Sequence, residues 1–105
     1  MKYSPAYFEG IRERYPRVAD SFDLLGAECG RAGPLDERTQ LFIKLGTAIG
    51  LGSEGDTQNL AQQALDTGIS PEEVRHAVLI TVTTAGFPAM IVAMQWVEEI
   101  IKKRG

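Results

Sequence analysis

Apolar positions recur at helical spacing along the whole chain, and no useful length of strand-like alternation interrupts them. Tyr7, Phe8, Ile11 and Tyr15 form a first stripe that stops at Pro16. Val18, Phe22, Leu25 and Cys29 follow at i, i+4, i+7 and i+11, a pattern that predicts burial of all four, and the run ends near Gly30 and Gly33. Asp36 is placed to cap a third helix reaching Leu51, with Leu41, Leu45, Ala48 and Ile49 on its buried face. Gly46, Gly50 and Gly52 weaken that helix and point to a closely packed neighbour. Ser53 then caps a fourth helix, which turns Leu60, Ala61, Ala64 and Leu65 inward and stops at Gly68.

Ser70-Pro71-Glu72-Glu73 is the clearest local signal in the chain. It supplies an N-cap hydroxyl, a proline at the first helical position and a glutamate to close a capping box. The helix that follows, Val74 to Ala85, is apolar on nearly every side beyond its first turn, which predicts that protein surrounds it. The last helix runs from Phe87 to about Lys103. It carries Phe87, Met90, Ile91, Met94, Val97 and Ile101 on one stripe and Ala89, Ala93, Trp96 and Ile100 on an adjoining one. The expected fold is all-α with about six helices, the last two forming a buried antiparallel pair. Two such apolar helices in so short a chain offer more surface than a monomer covers, so a homo-oligomer is expected to complete the core.

Composition narrows the function. The 105 residues, 44% of them apolar, suit a single domain spanning 1–105, with a net charge of −3. An acidic balance without a long run of Lys or Arg argues against nucleic acid as a partner. Lys102, Lys103 and Arg104 form the one basic cluster, at a helix end where cations complement the dipole. A single cysteine rules out an intrachain disulfide. Residues 77–97 carry no charge, but Gly86-Phe87-Pro88 divides them, which fits two buried helices rather than a membrane span. The charged residues after Met1-Lys2-Tyr3-Ser4-Pro5 are unlike a signal peptide, so the expectation is a cytoplasmic protein. No cluster has metal-ligand spacing, no phosphate-loop pattern is present, and no cofactor is expected.

The segment Leu41 to Leu65 is a small-residue helix running through Gly50-Leu51-Gly52-Ser53 into a second helix. Together with Gly68-Ile69-Ser70-Pro71-Glu72-Glu73-Val74 and Thr83-Thr84-Ala85-Gly86-Phe87-Pro88-Ala89, it resembles the carboxymuconolactone decarboxylase and alkylhydroperoxidase D-like family. The resemblance covers roughly residues 20–103, after an N-terminal helix over 1–19, and implies a helical subunit of a trimer or hexamer. In the family's redox members a Glu is followed by Cys-x-x-Cys after the turn and then by a His. Carried onto this chain, those positions are Leu41, Ser53 and Asp56, and Leu60, so all four are replaced. The decarboxylase-like members keep the His, which Leu60 also removes.

Candidate chemistry is sparse. Ser53, Asp56 and Leu60 share one face of the fourth helix, and Asp56 is the ionisable group left on it. Facing an apolar pocket it would serve as acid or base; as a first-turn residue it simply favours the helix dipole. His76, the one histidine, follows Glu72 by a turn and suits a proton-transfer pair or a surface pair. Lys44, beside Gln40 and Thr47, offers a point charge to a carboxylate or belongs to a solvated stripe. Thr84 would line the pocket with Leu41, Ser53, Asp56 and Leu60.

Three functions follow. One is a protein binding a small apolar or weakly anionic molecule, with Asp56 or Lys44 giving polarity. Another is a family-type peroxidase or lactone decarboxylase using groups other than cysteine. The third is a structural subunit whose pocket its own leucines fill.

Overall fold

The computed structural model describes residues 5–104, with the side chains of residues 5, 7 and 8 outside that description. Tyr7 and Phe8 of the first stripe therefore lie outside the described residues. All regular structure among the described residues is helical: α1 (Pro5–Arg14), α2 (Pro16–Arg31), α3 (Glu37–Leu51), α4 (Glu54–Asp66), α5 (Pro71–Ile80), α6 (Val82–Ala85) and α7 (Phe87–Arg104). α6 is a single turn that continues α5, so the expected six helices are present.

The chain divides into two compact units, one up to Glu37 and the other from Arg38 onward. In the first, α1 packs on α2. Pro16 ends α1 and starts α2, because it brings a fixed φ but no N–H. Arg12 Nη1 donates to Asp23 Oδ2 at 2.9 Å, and this holds the Asp23 carboxyl below its ordinary range. The α2 stripe departs from expectation. Val18, Phe22 and Leu25 are 60–63% exposed, and Cys29 is exposed too. α2 buries Ala19 instead, so the pattern marks an apolar face that α1 does not cover within this unit.

In the second unit the core gathers Leu41, Leu45 and Ile49 from α3, Ala61, Ala64 and Leu65 from α4, and Val74 and Val78 from α5. Met90, Ala93 and Val97 of α7 complete it. α7 is the common partner, packing against α4, α5 and α6. Its direction follows from its polar contacts. Arg75 of α5 pairs with Glu98, at positions nearly symmetric about Gly86, so α5 and α7 are antiparallel. Gln58 Nε2 of α4 donates to the Trp96 carbonyl at 3.1 Å, and Arg104 Nη1 donates to Asp66 Oδ1 at 2.7 Å. Both contacts span 38 positions, so α4 and α7 run in the same direction. Arg38 of α3 pairs with Glu73 and lies over the Phe42 ring at 5.5 Å, tying α3 to the start of α5.

The capping box forms as expected: Glu73 N–H donates to Ser70 Oγ and Ser70 N–H to Glu73 Oε1, both at 3.1 Å. The α5–α6 segment is less enclosed than its composition suggests. Val74 and Val78 are fully buried while Leu79 and Ile80 are at least half exposed. The helix also breaks at Thr81, whose hydroxyl donates to the Val78 carbonyl at 2.6 Å, a local bond that competes with the helical ladder. Gly86 then reverses the chain at φ +101°, a conformation that favours glycine. α7 buries the Met90–Ala93–Val97 line, which leaves Phe87 and Ile91 exposed although they were grouped with it by spacing. A Cβ added at Gly46 or Gly50 would meet nothing within 4 Å, so among the described residues of this unit no neighbouring helix packs closely there. No helix among the described residues is long and apolar enough to cross a membrane.

Two outcomes follow. Leu45→Ala removes a side chain that is 1% exposed at the centre of the core, and a loss of about 2–5 kcal/mol is expected in urea unfolding. The Glu98 carboxyl sits below its ordinary range because Arg75 donates to it. Its contribution is therefore present above the ordinary carboxylate pKa and lost as pH falls through the depressed value. Glu98→Gln is expected to melt below wild type at neutral pH, with the difference closing on acidification; a gap that stays constant with pH contradicts this.

Candidate functional site

The site is built on the junction of α3 and α4. After Leu51, Gly52 adopts φ +69°, its N–H donates to the Ile49 carbonyl, and Ser53 N–H donates to the Ala48 carbonyl, each at 3.0 Å. This is the Schellman arrangement, in which a left-handed residue satisfies the last carbonyls of a helix. Ser53 closes α3 and in the same position caps α4, in extended backbone with its Oγ accepting from Asp56 N–H at 3.4 Å. The Ser53 hydroxyl donates in turn to Asp56 Oδ2 at 2.9 Å. A buried serine and a half-buried carboxylate thus form a closed pair over the first turn of α4. The positive end of the helix favours the carboxylate there.

Leu41 is buried in the core and Leu60 is half-buried against it. Four of the positions picked from the sequence, Leu41, Ser53, Asp56 and Leu60, therefore lie on or beside one apolar core. The others stand apart. Lys44 is exposed on α3 among Ile43 and Thr47, with the Thr47 hydroxyl returned to the Ile43 carbonyl at 2.8 Å. His76 is exposed on α5, and its partner from the sequence, Glu72, is paired with Arg75. Thr84 is exposed on α6.

Thr57 is not among the positions that the sequence pattern marks. It lies one turn after Ser53, is fully buried, and its Oγ1 has no hydrogen-bond partner. Its backbone N–H makes the ordinary helical bond to the Ser53 carbonyl at 3.0 Å. The sequence did hold a signal: Thr57 precedes Ala61 and Ala64 at i−4 and i−7 and so belongs to the buried stripe. Next to it on α4, Gln58 Nε2 reaches the Trp96 carbonyl and, at 2.9 Å, Glu99 Oε2, which ties the helix to α7.

A model described as the carboxymuconolactone decarboxylase family matches residues 16–99. No curated protein and no solved structure matches the chain. The matched range takes in α2 through most of α7 and contains the whole α3–α4 junction.

Ser53→Ala removes the α4 cap and the donor to Asp56 together. The expected cost is about 1–2 kcal/mol in chemical denaturation, with Ser53→Thr retaining most of the stability. An alanine variant as stable as wild type would show that the cap is not needed.

Proposed function

This chain belongs to the carboxymuconolactone decarboxylase family, and from that premise we propose that it is a homo-oligomeric small-molecule-binding protein without thiol redox chemistry. The observation that carries this reading is the Ser53–Asp56 pair. The resemblance assigns the two thiols of redox members to these positions, at the start of a helix where a thiolate is favoured. Here the same turn holds a hydroxyl donating to a carboxylate, which neither stores nor releases electrons. The one cysteine is on α2, in the other compact unit.

Binding is supported by the surroundings of that pair. Leu41 and Leu60 supply apolar surface, and Asp56 gives polarity at the edge of it. Lys44, exposed on α3, is the second candidate for that polarity. The homo-oligomer is supported by the apolar side chains left uncovered. Leu79, Ile80, Phe87, Ile91 and Val92 are bare on α5 and α7, as are Ile43 and Leu51 on α3. So many exposed apolar groups in a chain of this size mark surfaces that associate. The resemblance points to a trimer or hexamer, and the cytoplasm is the proposed location.

Native mass spectrometry is expected to give an oligomer carrying an extra mass that is absent after denaturation. A clean mass would count against binding, and a monomer would count against the assembly. Phe87→Glu is expected to lower the oligomer's mass or weaken its association. In a hydroperoxide assay with a dithiol reductant, no turnover is expected; turnover abolished by Cys29→Ser would refute the absence of thiol chemistry.

A further inference from the structure

The Thr57 hydroxyl is out of place as a purely structural group. A buried hydroxyl without a partner is costly, and valine has the same shape without that penalty. Threonines within helices commonly return their hydroxyl to the carbonyl one turn back, as Thr47 and Thr67 do at 2.8 Å. Thr57 does not, although its backbone is fully helical there. The two residues that follow it on its face, Ala61 and Ala64, bring only methyl groups. Its neighbour one turn earlier is Ser53, whose hydroxyl is already committed to Asp56.

We propose that Thr57 Oγ1 donates a hydrogen bond to the carbonyl oxygen of an uncharged, largely apolar molecule held on this face of α4. The proposal deepens the binding reading above and rests on it. Two electrostatic features select the ligand's class. The first turn of a helix presents positive potential, which favours an oxygen carrying partial negative charge over a hydrogen-bond donor. The Asp56 carboxylate occupies the same turn, and like charge repels a full anion. A ketone, ester or amide oxygen satisfies both conditions, while a carboxylate satisfies only the first. The body of the molecule meets the leucines of the core, so it is apolar.

Acetophenone and benzoate serve as probes of similar size that differ in charge. In a titration followed by amide nuclear magnetic resonance, acetophenone is expected to shift the amides of residues 53–57 saturably, and benzoate is not. Thr57→Val is expected to weaken acetophenone about tenfold, the loss of one hydrogen bond. Thr57→Ser is expected to stay within about threefold of wild type. Thr57→Val is also expected to melt no lower than wild type, which separates lost binding from lost folding. Equal acetophenone affinity in wild type and Thr57→Val, or benzoate binding as well as acetophenone, overturns the role of the hydroxyl and leaves the binding reading standing. Absence of any saturable shift overturns the proposal. If the native mass still shows a bound molecule in that case, the binding reading survives; if it does not, both fail.

Discussion

The junction between α3 and α4 is the constraint on which the rest of this protein depends. Two helices meet there with a single residue between the glycine that ends one and the first turn of the next. Ser53 therefore answers two demands at once, donating its N–H to the carbonyl end of α3 and accepting on its hydroxyl oxygen from the amide end of α4. Because both helix ends are satisfied by one residue, their relative direction has little freedom. That direction sends Leu41, Leu45 and Ile49 of α3 and Ala61, Ala64 and Leu65 of α4 into the same core. The Ser53–Asp56 pair and the shared core of the two helices are products of one turn.

Much of this was legible in the chain because caps and stripes are local. Ser70-Pro71-Glu72-Glu73 announces its helix from four consecutive residues, and the buried face of α3 follows from spacing alone. What spacing does not show is how much of an apolar face the chain itself can cover. Val18, Phe22 and Leu25 have the periodicity of core residues and yet are not covered by α1, since periodicity reports a sided helix and not what its own unit offers to pack on. Leu79 and Ile80 fail for the same reason. Gly46 and Gly50 look like contact points only while a neighbour is assumed.

The candidate site was legible in part. Ser53, Asp56, Leu41 and Leu60 come from a resemblance whose chemical groups are absent here, and the structure joins Ser53 and Asp56 by hydrogen bonds while Leu41 and Leu60 belong to the core. Thr57 was missed because a threonine in a first helical turn looks like ordinary polar surface. The next residue, Gln58, reaches Trp96 thirty-eight positions away, and no window on α4 contains that contact.

The parallel run of α4 against α7 also has a kinetic consequence. α5 and α7 fold back on one another around Gly86, a short closure, whereas α4 docks on a surface that α7 must first provide. A ribosome makes α4 well before α7. During that interval the apolar side of α4 has only α3 and α5 to pack on, and the part that α7 later covers stays open to chaperones, to aggregation or to a neighbouring nascent chain. The contact of α4 with α7 then closes the core that the helices share.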